Sequence, residues 1–218
     1  EQAAAGLVIR MLEEGKQVAL ITDAGTPAVS DPGARAVARV QDAGFPVVPV
    51  PGASAVITAL SASGLADGHF HFHGFLPTKS AARRASLESL RSVPGTLVFY
   101  EAPHRIAETL DDLAAVFEPV RELVVARELT KMFEQIVRMP ITEGPAWLAA
   151  DPNRARGEFV LLVSAAPLAE GLSPEAERVL GLLLAELPVK QAAKLAAAIT
   201  GESKNALYER ALAMRDEG

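Results

Sequence analysis

The sequence predicts an α/β protein with a mixed or mostly parallel sheet, followed by a separate all-helical tail. Three observations carry this. Apolar runs rich in Val and Ile alternate with Ala-rich helical stretches through most of the chain, the pattern of α/β layering. Ala165–Pro174 (AAPLAEGLSP) then reads as a linker by composition. Beyond it every segment carries helical patterning.

Composition narrows the functional classes. The chain has 218 residues, half of them hydrophobic and 22% charged, enough to bury a real core and incompatible with a largely disordered state. Cysteine is absent, which excludes disulfide scaffolds and Cys-ligated zinc or iron–sulfur centres. No apolar run reaches the length of a membrane span. No signal-peptide pattern is read at the start, so the expected location is cytoplasmic and no membrane partner is expected. A net charge of −6 argues against a chain that is basic throughout, but leaves room for local basic patches.

The elements follow in order. Gln2–Glu14 is helical. Gln17–Thr22 (QVALIT) reads as a buried strand ending in the loop Asp23–Asp31 (DAGTPAVSD). Pro32-Gly33 opens a helix to Asp42. Pro46–Val50 (PVVPV) is a short strand broken by Pro51-Gly52, and Ser54–Ser63 is a small-residue helix. His69–Leu76 (HFHFHGFL) alternates with period two, a strand with two unlike faces. Ser80–Arg91 is a helix, Thr96–Glu101 a strand and Pro103–Phe117 a helix with Ile106, Leu110, Leu113 and Phe117 on one side. Glu122–Arg127, Phe133–Arg138 and Glu158–Ser164 are strands. In the tail, Pro188 opens a helix over Val189–Thr200, Gly201 ends it, and Ser203 is positioned to cap a second helix over Lys204–Met214. Helix, short Gly-containing turn and helix is the helix-turn-helix pattern. The boundaries divide the chain into 1–51, 52–166 and 167–218.

Two loops stand at strand ends, where ligands of open α/β sheets bind. In Asp23-Ala24-Gly25-Thr26-Pro27, Gly25 permits close approach to the backbone, Thr26 offers a hydroxyl and Asp23 a carboxylate for a ribose hydroxyl or an amino group. Neither GxGxxG nor a Lys-Ser/Thr phosphate cradle is present. An ordinary tight turn explains the first loop equally well. Pro51-Gly52-Ala53-Ser54 repeats the arrangement, its plain alternative being a Ser-capped helix start.

Together, DAGTPAVSDPG, VPVPGASAVITALSASG, GFLPTKSAARR, FYEAPHR and ARELTK, in this order over nearly the whole chain, resemble the ribosomal RNA small subunit methyltransferase I family of the tetrapyrrole methylase class. The resemblance implies a tetrapyrrole-methylase-like fold of two α/β domains with the cofactor cleft between them, plus the helix-turn-helix-like tail. It implies S-adenosylmethionine as cofactor, 16S ribosomal RNA of the small subunit as partner, 2′-O-methylation of a cytidine ribose as the reaction, and a homodimer. The family's opening strand, its TPIGNL-like loop and its EDTR-like motif have no counterpart here, so the chain is expected to be a member recorded without that segment. A small-molecule methylase of the same fold, or a non-catalytic RNA-binding fragment, are the alternative readings.

By position, the resemblance assigns Asp23, Gly25, Thr26, Ser54, Ala55, Tyr100, Ala102, Leu129, Gly157 and Glu158 to the cofactor. A ribose hydroxyl needs a base or a polarising cation nearby. Glu101, Glu128 and Lys131 are the catalytic candidates, with His104 a further one that is also assigned to RNA alongside Arg105. Lys79, Arg83 and Arg84 head the sharpest basic cluster: Lys79 to Arg91 carries four basic residues and one acid. Basic side chains oppose the dipole at a helix start, which favours phosphate contact over mere solvation. Lys190 and Lys204 extend the RNA-facing set into the tail, whose alternative role is a packing or dimer-forming hairpin. His69, His71 and His73 share one face of an ideal strand, with Phe70 and Phe72 expected in the core. No carboxylate lies within that run, and no metal is assigned.

Overall fold

A computed structural model describes residues 2–23, 25–166 and 172–216. Ala24 of the first loop and the middle of the linker, 167–171, lie outside the described residues. The chain groups into two compact units, 1–166 and 167–218.

The first unit is built on a five-stranded sheet. Its strands are β1 (Phe70–Phe75), β2 (Thr96–Glu101), β3 (Glu122–Arg127), β4 (Gln135–Pro140) and β5 (Phe159–Val163), in spatial order β1-β2-β5-β3-β4. β1 runs parallel to β2, while β5 lies antiparallel between β2 and β3, and β4 pairs antiparallel with β3. β1, β2 and β3 therefore all point the same way. Their carboxyl ends meet the start of β5 along one edge, where Glu101, Phe159 and Arg127 stand in register.

Strand alternation sorts the side chains into two cores. On one face Leu97, Phe99, Leu123, Val125, Leu161 and Val163 pack with Leu87 and Leu90 of α4 (Ser80–Leu90) and with Ile106, Leu110 and Leu113 of α5 (Ile106–Val116). α6 (Gly144–Ala149) closes this layer through Leu148. The sequence pattern did not single out α6, because its six residues give too little periodicity to read. On the other face Val98, Val124, Ala126, Val160 and Leu162 pack against Val56 and Ala59 of α3 (Ala55–Ser63). The sheet is thus sandwiched between helices.

Upstream, α1 (Gln2–Glu13) packs against α2 (Ala34–Asp42). Here two expectations fail. Gln17–Thr22 and Pro46–Val50 form no strand. A strand exists only where its backbone finds a ladder partner, and among the described residues neither segment has one. Ile21, Val48 and Val50 are accordingly exposed rather than buried.

β1 also departs from the ideal. Its pairing with β2 shifts between Phe72 and Gly74, and Gly74 adopts φ +81°, a bulge that breaks strict alternation. Phe72 packs beneath α3, but Phe70, on the outer strand, is exposed instead of joining the core. His69 precedes the strand and His71 is exposed, whereas His73 is half-buried against Phe99 and 3.4 Å from the Ser86 hydroxyl. The three do not form one solvent face. Burial, then the neighbouring His71, lowers the His73 pKa.

The second unit contains α7 (Pro174–Leu184), α8 (Val189–Thr200) and α9 (Lys204–Asp216) around Leu180, Val189, Ala192, Ala193, Ala196, Leu207 and Ala211. Alanines at the crossing let the helices approach closely. Gly201, at φ +76°, ends α8 in the left-handed conformation that a side chain would strain.

Candidate active site

The carboxyl edge of the sheet gathers most of the residues singled out by sequence. On the α3 side, Ala55, Tyr100 and Leu129 all pack against the same apolar cluster. The Tyr100 ring meets Phe72 and Phe75 edge-on, at 4.9 and 5.7 Å between centroids. Burial raises the Tyr100 pKa; a backbone hydrogen bond at Val56 opposes the shift and the Asp31 charge adds to it. Phenol and apolar neighbours thus form a wall with one polar tip.

The two Gly-containing loops are tied together. Thr26 donates its hydroxyl to the Ala53 carbonyl at 2.9 Å, and Thr22 donates to Asp31 at 3.0 Å. Ser54 stands at the N-cap of α3 without making a side-chain cap bond, so capping does not account for it. Asp23 and Gly25 are exposed beside this junction, Gly25 at φ +73° with open space where a Cβ would be.

Farther along the edge, Lys131 bridges Glu128 and Glu158, at 2.9 Å to each carboxylate. Glu128 Oε1 also accepts the Glu158 backbone N–H at 3.0 Å. Two residues of this loop, Glu128 and Thr130, hold φ of +51° and +65°, a region rarely occupied by residues other than glycine. Hydrogen bonds from Lys131, then from the Glu158 backbone, lower the Glu128 pKa, and those to Glu158 and Glu128 raise that of Lys131. Lys131 is therefore a stable cation and not a base. It can polarise a hydroxyl rather than deprotonate one. Ala102, at the end of β2, donates its N–H to Glu101 at 2.8 Å.

Three candidates prove to be internal. The Glu101 carboxylate is sealed off: beyond Ala102 it accepts the Thr109 hydroxyl at 2.6 Å and lies 3.3 Å from Arg105 Nε. That last contact is a charge contact without hydrogen-bond alignment, since Arg105 Nε has no hydrogen-bond partner. Buried, and already accepting the Ala102 N–H and the Thr109 hydroxyl, Glu101 organises the turn after β2 and is not placed to take a substrate proton. Arg105 points inward and donates to the carbonyls of Leu76 and Pro77, at 2.6 and 3.2 Å. Arg83 is 1% exposed and binds Asp112, Glu108 and the Thr78 carbonyl. Neither arginine is available to an RNA phosphate. Their chemistry explains the burial: each guanidinium finds carboxylate and carbonyl partners that replace water.

Of the remaining cations, Arg84 bonds Asp112 at 2.5 Å but stays half exposed, and Lys79 and His104 are exposed. Lys79 and Arg84 lie at the start of α4, on the helical layer opposite α3. Lys190 and Lys204 are exposed on the second unit. Sequence reasoning missed Thr109 and Asp112, whose roles come from partners far along the chain, and Arg127, which anchors the carbonyls of Asn153 and Arg156 at 2.8 and 3.0 Å. Among the described residues no group of three or more His, Asp or Glu could hold a metal, and no helix is long and apolar enough to cross a membrane.

Residues 1–144 match the family model for Tetrapyrrole (Corrin/Porphyrin) Methylases, and residues 170–215 match the RsmI C-terminal HTH domain. A ribosomal RNA small subunit methyltransferase I from Pseudomonas aeruginosa is 52% identical over 97% of this chain and 76% of its own length. The protein of the same name from Escherichia coli O157:H7 is 48% identical over 97% of the chain and 74% of its own. This chain belongs to the ribosomal RNA small subunit methyltransferase I family. Among solved structures, the methyltransferase CobJ aligns with TM-score 0.55 at 23% identity, over 74% of this chain and 70% of that one. A Thermus thermophilus uroporphyrin-III C-methyltransferase complexed with S-adenosylhomocysteine aligns at 0.51 and 17% identity, over 75% of this chain and 73% of its own. These structural likenesses establish the shared fold. For a family member, the carboxyl edge is the place to test against a sulfonium cofactor. The donor set fits one: an apolar wall at Ala55, Tyr100 and Leu129, an exposed carboxylate at Asp23, and open space over Gly25.

Proposed function

We propose that this protein transfers a methyl group from S-adenosylmethionine to the ribose 2′-hydroxyl of a cytidine in 16S ribosomal RNA of the small subunit. The observation that carries the reading is the carboxyl edge itself. It gathers Ala55 at the start of α3, Tyr100 near the end of β2 and Leu129 just after β3 around one apolar cluster, with the Lys131 cation two residues beyond Leu129. The relatives' names and the matched helix-turn-helix model favour ribosomal RNA over a porphyrinoid substrate.

The bound cofactor supplies an electrophilic methyl group. The protein's work is then chiefly to hold donor and acceptor in line. Ala55, Tyr100 and Leu129 cover the apolar parts of the donor. Asp23 accepts from its hydroxyl or ammonium groups, and Ser54 and Thr26 border it. Gly157, Glu158 and Ala102 close the far side. Lys131, kept protonated by two carboxylates, favours the ionised form of a nearby hydroxyl, whose proton passes to solvent as the oxygen takes the methyl group. Glu128 and Glu158 position that lysine. Lys79, Arg84 and His104 in the first unit, and Lys190 and Lys204 in the second, contact phosphates. The protein acts in the cytoplasm as a homodimer, with residues 1–51 and 52–166 forming the two sides of the cofactor cleft.

The deciding test is tritiated-methyl transfer to isolated small ribosomal subunits and to naked 16S RNA, followed by nuclease mapping. Label at a cytidine ribose supports the reading. Cofactor binding without transfer to either RNA, or label on a base, overturns it.

A further inference from the structure

On the face of the sheet opposite α3, a second recess opens at the same edge. It is a cavity of about 460 Å³ between the loop that follows β3 and the 3-10 turn Pro152–Ala155. Arg127, Glu128, Phe133, Asp151, Asn153, Arg156 and Gly157 line it, so it shares Glu128 and Gly157 with the loop that carries Lys131. Alternation along β3 assigns the side. Leu123 and Val125 face α5, so Arg127 does too, whereas Val124 and Ala126 face α3. The recess thus opens on the α5 side, while through Glu128 and Gly157 it adjoins the Lys131 loop of the candidate site.

Its contents are unusual for a surface depression. Phe133 is 67% exposed although apolar, and the adjacent Met132 is 89% exposed. Arg156 is exposed, and among the described residues no hydrogen bond or ion pair engages its guanidinium. Arg127 holds the floor through the carbonyls of Asn153, Arg156 and Phe133, yet its Nε is buried with no partner. Buried N–H groups are rarely left unpaired. The recess therefore combines an open aromatic face and an uncommitted cation at its mouth, while its two carboxylates, Glu128 and Asp151, are already engaged by Lys131 and by the Asn153 N–H. Unstacked bases of single-stranded RNA are held in this manner, on an aromatic ring with a cation at the phosphate.

We propose that this recess binds one unpaired nucleotide of the substrate RNA, flanking the one methylated, with its base on Phe133 and its phosphate at Arg156. The inference rests on the RNA methyltransferase reading and adds a subsite to it. A strand laid along the carboxyl edge passes from the methyl-transfer site on one face to this recess on the other. The asymmetry selects single-stranded over duplex RNA, because only an unstacked base can enter.

The test measures binding of the full chain to a short single-stranded fragment of 16S RNA spanning the mapped cytidine. Cofactor affinity is measured in parallel by calorimetry. Phe133→Ala is expected to weaken RNA binding by about 10-fold or more, and Phe133→Trp to restore it. Arg156→Gln is expected to reduce the slope of log affinity against log salt by about 0.7, one single-strand phosphate contact. Cofactor affinity stays unchanged in all three. Unaltered RNA affinity and salt slope in Phe133→Ala and Arg156→Gln would overturn the subsite, as would loss of cofactor binding, which would assign the recess to the methyl donor. If the unsubstituted protein methylates no RNA, the underlying reading fails instead, and the two failures are thereby distinguished.

Discussion

Gly157 shows how a single residue fixes the loop that carries Lys131. It holds φ +94°, and a Cβ at this position would lie 2.4 Å from Glu128 Cγ. Both facts exclude a side chain. Gly157→Ala is expected to destabilise the protein by about 1–3 kcal/mol in urea unfolding, the cost of a strained backbone, and to displace Glu128 from Lys131. Methyl transfer should fall by more than the lost stability explains; an alanine variant with unchanged transfer would detach this loop from the chemistry. Asp23 makes the complementary case. Asp23→Ala is expected to weaken S-adenosylmethionine binding by about 1–3 kcal/mol, the loss of a hydrogen bond to a charged group, and calorimetry showing no change would remove it from the site. Sequence could mark Asp23 because its loop follows an apolar run. It could not show that Glu101 is sealed, because Thr109 and Arg105 close over it from the following turn and helix.

At the scale of elements, the loop after β1 is held by a paired device. Three successive carbonyls, those of Leu76, Pro77 and Thr78, accept from two inward-facing arginines, Arg105 and Arg83. Arg83 is neutralised chiefly by Asp112, which also binds Arg84 and accepts from Ser80. Burial works to raise the Asp112 pKa, but hydrogen bonds from Arg84 and Arg83 outweigh it and the net shift is downward. Asp112→Ala leaves the buried Arg83 with only Glu108 and the Thr78 carbonyl as partners, and is expected to cost about 1.5–3 kcal/mol, the loss of a hydrogen bond between charged groups, read by urea unfolding. A second carboxylate contributes to the loss of stability in acid. Burial alone would raise the Glu118 pKa, yet hydrogen bonds from Arg91, its own backbone and Arg121 bring it down to about 2 from an ordinary 4.5. The unfolded chain therefore binds more protons between those values. The stabilisation is complete above pH 4.5 and is lost as pH falls toward 2. Glu118→Gln should lower stability at neutral pH and flatten its fall across that window; an unchanged slope would assign acid sensitivity elsewhere. β2 and β3 were legible from sequence because both faces are buried and their runs are continuously apolar. Gln17–Thr22 and Pro46–Val50 are also apolar runs but have no ladder partner among the described residues, and composition cannot report a partner. β4 begins two residues later than its pattern suggested, since Phe133 belongs to the loop and points away from the sheet's cores.

For the whole molecule, each unit has a core drawn from its own residues. The sheet cores lie within 56–163, and the tail core within 176–211. The helix-turn-helix pattern was legible because Pro188 opens α8 and Gly201 ends it. α7 was less so: it was foreseen only as helical, and its capping Ser173, which accepts the Ala176 N–H at 3.2 Å, follows directly on the linker composition. If the carboxyl edge alone holds the methyl donor, the tail is dispensable for that step. A chain ending at residue 166 is expected to unfold cooperatively and to bind S-adenosylmethionine with affinity within about 0.5 kcal/mol of the full chain, as for an independent site. Its affinity for the small subunit should fall as the phosphate contacts proposed for Lys190 and Lys204 are lost, although residues 167–218 as a whole carry eight acids against six bases, and the salt dependence should become shallower. Neutralising Lys190 and Lys204 together in the full chain should reproduce part of that change, about two units of slope on duplex RNA or somewhat less on single strands, while sedimentation reports whether the mass of two chains persists. Equal salt slopes for the full and shortened chains would make the tail a packing element. Loss of cofactor binding on shortening would show that the two units are energetically coupled despite their separate cores.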